Sequence, residues 1–433
     1  VIGALPNRPG KAIRGRLLSY GDALLTHEDG LVHVLDGKIA AVGATSALLP
    51  HLPVGTPIEH HPDRLILPGF IDLHIHLPQT KVIASYGAQL MEWLERYTFV
   101  EEAKFGDPKV ASAGAEFLLD ELLRNGTTSA VVYGSVHRQS VDEFFAASVR
   151  KGTGMIAGKV MMDRFAPAAL LDTAQTSYDE SKALIERWHG RERQLYAVTP
   201  RFAITSTPAQ LDAAGALLKN HPDLFMQTHL SENAAEIEQV LTLYPEARDY
   251  TDIYDRAGLL GPRSLFGHCL HLSDGELDRL SESGSVAVFC PTSNLFLGSG
   301  LADRSRFMTR AKAVRVGLAT DVGAGTSFSM LRTAAEMYKV GQLKGQSLSA
   351  HDAFRWITRG NAEALGLDQE IGVLEPGHFA DLVVLDSRAT PAMAHRMERC
   401  ESLEEELFVL LTLGDDRAVA ATYVQGEKSS CSN

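Results

Sequence analysis

LILPGFIDLHIHLPQT, Leu65 to Thr80, is the stretch on which the reading of this chain turns. A short apolar run with little helical period leads into His74-Ile75-His76. In a strand, residues i and i+2 share a face, so two imidazoles at the end of a buried strand can chelate one metal ion. Taken alone, the pair reads equally well as two ordinary polar residues at a strand end. The other ligands downstream have to decide.

Beyond Leu67 the chain alternates between apolar β-type runs and amphipathic helical stretches. The runs are GFIDLHIH, TTSAVVYG, GMIAGKVMMD, LYAVTPRFA, LFMQTHL, SLFGHCLHL, SVAVFC and VRVGLATDV. Helical patterns lie between them, at Gly114–Arg124, Ser140–Arg150, Glu180–Trp188 and Thr207–Asn220. About eight strands, apolar on both faces and joined by helices, suit an α/β fold of the (β/α)8 TIM-barrel type. A doubly wound open sheet is the alternative. Two more helical stretches follow, Ser329–Leu343 and Ser349–Leu365.

Both chain ends have a different texture. GLVHVLDGKIAAVG places Asp36-Gly37 between alternating apolar runs, the signature of a tight hairpin. Near the other end, IGVLEPGHFADLVVLD turns at Pro376-Gly377 into a strand at Asp381–Leu385. RAVAATYVQGEK adds a strand that ends at Gln425-Gly426, and Glu401–Leu413 reads as a helix between the two. The ends are therefore expected to pair into a small β-sandwich-like domain, residues 1–66 with 372–433, around a barrel of residues 67–371. The closing SSCSN reads as a loose tail.

The bulk numbers narrow the function. Asp plus Glu number 54 against 41 Lys plus Arg, a net charge of −13, which argues against a nucleic-acid partner. No apolar run is long enough to span a bilayer, and VIGALPNRPGKAIRG lacks a signal-peptide core. The missing initiator Met suggests a trimmed start. Cys269, Cys290, Cys400 and Cys431 show no metal or disulfide spacing, which fits a reducing cytoplasm.

Barrel chemistry sits where strands end and loops leave. The first run ends in His74 and His76, the fifth in His229, and the eighth in Asp321; the sixth carries His268. Each is weak alone. Together, at equivalent ends of different strands, they form an N/O donor set with room for water, suited to zinc, with iron as the alternative. His271, three residues past His268, should face the other way in a regular strand. Glu232, three residues past His229, is placed to shuttle a proton, and Asp321 with His268 can accept the proton of an activated water.

This arrangement resembles the amidohydrolase superfamily, whose shared ligand plan is His-x-His on strand one, His on strands five and six, and Asp on strand eight. The resemblance implies metal ligation by His74, His76, His229 and Asp321. A two-metal branch uses a bridging Lys on strand four; LYAVTPRFA has none, and the nearby Lys159 lies on strand three, so one divalent metal is expected. The P-C-x-x-C signature of the other zinc deaminases is absent. HLPQT, LMEWLERYTF, TPRFAITST, HLSEN and LGDDRAVAATYVQGE resemble the guanine deaminase family. That likeness implies a homodimer acting on a small purine base, with Gln79, Arg201 and Phe202 as base contacts beside His229 and with Glu232 as acid/base.

The chemistry is coherent on its own terms. Attack at C2 of guanine is eased when a carboxyl protonates the neighbouring ring nitrogen, a task for Glu232. Arg201 only donates hydrogen bonds, which matches acceptors at O6 and N7. Core packing is an equal reading for Phe202, a salt bridge the plain one for Arg201, and packing the favoured one for Trp93. The rival functions are hydrolysis of another N-heterocycle, such as 8-oxoguanine, a pterin or a triazine, and a non-catalytic scaffold on the same barrel.

Overall fold

The structure, a computed structural model, describes every residue except Val1, Ala4, Pro6, Asn7, Ala88, Ala311, Ser432 and Asn433. The last two of the expected tail thus lie outside the described residues. Eight parallel strands follow one another around a nearly closed barrel: Phe70–His76, Thr127–Tyr133, Gly154–Gly158, Leu195–Pro200, Phe225–Leu230, Ser264–His268, Val286–Phe289 and Arg315–Leu318. We call these barrel strands one to eight. Helices such as Pro108–Arg124, Arg138–Lys151, Ala174–Trp188 and Pro208–Asn220 return the chain between strands. The apolar face of the first buries Ala111, Ala115, Leu118, Leu119 and Leu122, the helical spacing that sequence periodicity anticipates.

The expected third run is not one strand. It breaks after Gly158, and Val160–Met161 pairs separately with strand four. The stretch Ser349–Leu365 is helical but widens into a π-turn at Trp356–Gly360 before Asn361–Leu365. That places Asn361 under the barrel. Its amide donates to Ile71 O and Leu318 O at 2.7 and 2.9 Å and accepts from Leu318 N–H at 3.0 Å. Asp72 bridges the same junction, accepting from Thr320 N–H and His74 N–H. Further along, Asp321 N–H donates to His74 O and His76 N–H to Val322 O. The seam between strands one and eight is thus stitched largely by side chains and by the segment just past strand eight.

The chain ends form one hydrogen-bonded sheet. Its longer strands are Lys11–Tyr20, Leu24–Leu35, Lys38–Ala44, Ile58–Pro68, Leu382–Leu385 and Val419–Val424. The hairpin turn at Asp36-Gly37 takes positive φ angles of 52° and 77°, as a two-residue turn of this type requires. Alternation sorts the sheet's apolar residues. Ile13, Val32, Ile66, Val384 and Tyr423 build a core of the sheet's own. Leu65, Leu67, Val383, Leu385 and Val419 belong to the barrel's core.

Inside the barrel, Ile71, Leu73, Val131, Ile156, Phe225 and Leu265 plug the end where the strands begin. The opposite end is left for polar residues.

Candidate active site

Strict alternation along strand one would put Ile71 and Leu73 on the face opposite His74 and His76. The register against strand two resolves this. Asp72 to Ile75 lies opposite Ala130 to Val132, so one extra residue is accommodated there. A bulge of this kind re-aims the side chains beyond it. Ile71 and Leu73 fill the barrel interior, and past the bulge His74 and His76 point into it as well.

The imidazoles and one carboxylate converge. His74 Nε2 lies 3.2 Å from His76 Nε2, which lies 3.3 Å from His229 Nε2. Asp321 Oδ1 is 3.3 Å from His74 Nε2 and 3.2 Å from His76 Nε2. All four side chains are buried. His229 donates its Nδ1–H to Arg201 O at 2.8 Å, which leaves the Nε2 lone pair facing the centre, as a metal-ligating histidine needs. Burial, and then the neighbouring imidazoles, push His229 well below its ordinary pKa. Burial takes His76 down to about 3. Burial alone would raise Asp321, but His74 and His76 hold its carboxylate well below the usual range. Three neutral imidazoles and one ionised carboxylate, all buried and aimed at one point, fit a single divalent cation.

Strand six makes room for the cluster. A Cβ on Gly267 would meet His74 Cε1 at 2.7 Å and Nδ1 at 2.9 Å, so the ring occupies the space a side chain there would take. The strand ends at His268, where His268 and Cys269 adopt positive φ angles of 70° and 53°. His268 Nδ1 meets Asn294 Oδ1 at 2.8 Å, so Nδ1 carries the proton and Nε2 faces the site, buried and without a hydrogen-bond partner among the described residues. His268 Nε2 lies 3.3 Å from Glu232 Oε2 and 3.8 Å from Asp321 Oδ2.

Glu232 is buried just past strand five. Burial, and then the charge of Asp321, raise its pKa to about 8, although the Ser299 hydroxyl, 3.3 Å from Oε1, acts the other way. It is a carboxylic acid able to hold a proton at neutral pH. His271 lies off the strand rather than on its far face, because the turn at His268 has already ended the strand. Its Nε2 donates to Ser299 O at 2.9 Å, which places it behind Glu232. Lys159 points away from the cluster, where it pairs with Asp172 and lies 3.5 Å from Glu180.

A cavity opens against His76, His229, Glu232, His268 and Asp321, lined also by Gln79, Leu90, Trp93, Leu94, Arg201 and Phe202. Gln79 belongs to the short turn after strand one, and Arg201 and Phe202 follow strand four. Trp93 is buried, as packing predicts, and also walls the cavity. The anticipated salt bridge of Arg201 exists: Nη1 donates to both oxygens of Glu102 at 2.8 Å. The Arg201 main chain meanwhile orients His229, so one residue joins the ligand set to the cavity wall.

Sequence reasoning missed Glu102, Asn294, Ser299 and Tyr133. Tyr133 ends strand two, and its ring packs 4.5 Å from His74 and 4.6 Å from His76. The rule that chemistry gathers at strand ends could have found Tyr133 and the CPTSN run that holds Asn294. Glu102 and Ser299 carry no local signal.

Comparison with known proteins places this geometry. The amidohydrolase family model matches residues 65–428. Guanine deaminase of Escherichia coli K12 is 47% identical over 426 residues, covering 96% of this chain and 97% of that protein. The chain belongs to the amidohydrolases and, among them, to the guanine deaminase family. Mouse guanine deaminase is 33% identical over 384 residues, 86% of this chain and 84% of its own. The solved E. coli guanine deaminase superposes with a TM-score of 0.94, covering 97% of this chain and 99% of its own. The enzyme from C. acetobutylicum, solved with guanine bound in its active site, is 30% identical with a TM-score of 0.86, covering 96% of this chain and 99% of its own.

Proposed function

We propose that the chain hydrolyses guanine to xanthine and ammonia, using one divalent ion, zinc, held by His74, His76, His229 and Asp321. One observation carries the reading: His76, His229 and Asp321 of the donor set, the protonatable Glu232 and a wall of Gln79, Arg201 and Phe202 line one cavity. The match to guanine deaminases over nearly the whole chain supports it. A divalent ion in such a site supplies Lewis acidity and lowers the pKa of water.

The chain's own groups do the rest. Glu232, as the carboxylic acid, gives its proton to the ring nitrogen beside C2 and leaves that carbon electrophilic. Asp321 and His268 take the proton of the attacking water; the Asn294 contact keeps His268 Nε2 free for it. Glu232, now a carboxylate, takes the proton of the C2 hydroxyl as the C2 carbonyl forms and the C–N bond breaks, and passes it to the departing amine; the proton held by Asp321 and His268 restores Glu232. Arg201 offers only donors, which suits O6 and N7 of guanine. The amino group of adenine would leave that guanidinium unpaired, a penalty of about 1–3 kcal/mol or more. Phe202 packs its ring along the base.

We extend the reading to a homodimer in the cytoplasm, which solution mass and cell fractionation would check. Among the described residues no helix is long and apolar enough to cross a membrane. The deciding experiment is ammonia release from guanine beside metal quantitation, with 8-oxoguanine, a pterin and a triazine compared by kcat/KM. Chelation should abolish release, and zinc should restore it. Fully metallated protein that leaves guanine untouched would overturn the reading.

A further inference from the structure

Glu102 is fully buried on the helical turn Phe99–Glu102, yet it belongs neither to the ligand set nor to the proton path. Its oxygens gather both base-reading side chains. Gln79 donates Nε2–H to Oε1 at 3.0 Å, and Arg201 donates through Nη1 to Oε1 and Oε2. Gly323 N–H donates to Gln79 Oε1 at 3.3 Å. The amide of Gln79 is therefore held at both ends, with its nitrogen and oxygen assigned. Among the described residues the guanidinium of Arg201 makes its hydrogen bonds through Nη1 alone, so Nη2 and Nε are left for a ligand. The ring of Phe99 lies 5.5 Å from its centre.

A buried ion pair adds little net stability over a well-packed apolar pair, but losing one partner is expensive. Stability is thus a poor account of a carboxylate in this place, and geometry is a better one. We propose that Glu102 is the positioning residue of the base-recognition wall. It fixes the Gln79 amide, turns Arg201 so that only its unused donors face the cavity, and cancels the charge of Arg201 so that the wall reads a neutral base rather than an anion. This rests on the guanine reading above. It bears on turnover because xanthine, with a second ring carbonyl, loses a proton more readily than guanine does. An uncompensated guanidinium would retain the xanthine anion, and Glu102 prevents that.

The test compares the metallated wild-type enzyme with Glu102→Gln and Glu102→Asp, by ammonia release and by inhibition with added xanthine above and below its ionisation. Glu102→Gln should raise KM for guanine roughly 10- to 100-fold, with a smaller change in kcat. Xanthine inhibition should strengthen with rising pH in this variant but not in wild type. Glu102→Asp keeps the charge but shortens the reach. It should raise KM for guanine without the pH-dependent gain in xanthine inhibition, and it keeps the question open to test if Glu102→Gln does not fold. The proposal is overturned if kcat falls while KM holds in both variants, or if xanthine inhibits all three proteins alike at each pH. A wild-type enzyme inactive on guanine would instead overturn the underlying function.

Discussion

Among single residues, Glu232 bears most of the proposed chemistry. Its carboxylate lies 3.3 Å from His268 Nε2, which is outside the proposed ligand set, so it can be changed without removing a member of that set. Glu232→Gln should keep full metal content and lose kcat by about 100- to 10,000-fold, the range for a lost general acid. Element analysis and steady-state kinetics on the same preparation check this; near-full activity would return Glu232 to a structural part. The same carboxyl has a pH signature in metal-stripped protein. Its pKa is raised from an ordinary 4.5 to about 8, by burial first and by Asp321 second. Above 4.5 the unfolded chain sheds this proton while the folded chain keeps it. The stability it lends is therefore complete below 4.5 and is lost as pH climbs toward about 8. Glu232→Gln cannot ionise, so the Tm of the variant minus that of the wild type should grow over that interval. A constant difference would show that burial does not hold the proton.

The elements determine how well the donors are aimed. The bulge in strand one turns His74 and His76 inward, and Gly267 on strand six yields its side-chain volume to the His74 ring. Gly267→Ala would press a methyl group against an aromatic ring that has no free end to swing aside. Metal affinity should fall by roughly 10- to 100-fold, as for other changes that misorient a ligand, in competition with a chromophoric chelator. Unchanged affinity would mean that the strand relaxes without cost. The eight strands, the helices between them and the return of β texture near the end were all legible from periodicity, because burial on both faces or on one stripe writes directly into residue order. The bulge was not. Its cause is the register with a neighbouring strand, and FIDLHIH looks the same with or without it.

At the scale of the whole molecule, the sheet built from the two ends grips the barrel at the end away from the chemistry. Arg193, just before strand four, donates through Nη1 to Asp381 at 3.1 Å and through Nη2 to its other oxygen, and its guanidinium lies 3.9 Å over the Phe379 ring. Asp381 also accepts from Gln425 N–H at 2.9 Å. Both charges are largely buried. Asp381→Ala would strand the guanidinium, and unfolding in denaturant should show a loss of about 3–5 kcal/mol. kcat on guanine per folded molecule should not change, since the pair is remote from the cavity. A large fall in kcat would mean that the sheet communicates with the site.

By itself, the sequence determined the fold class, the five polar residues at strand ends, Glu232 beside them and the cavity residues Gln79, Arg201 and Phe202. Each announces itself through position in a periodic pattern or within a short motif. Only the tertiary structure decided what joins them. Glu102 reaches Gln79 and Arg201 across 23 and 99 residues of chain, Asn294 reaches His268 from the short helix after strand seven, and Asn361 closes the barrel from beneath. Such contacts depend on the distance between atoms in space, and a linear order of residues records that distance only where the backbone repeats.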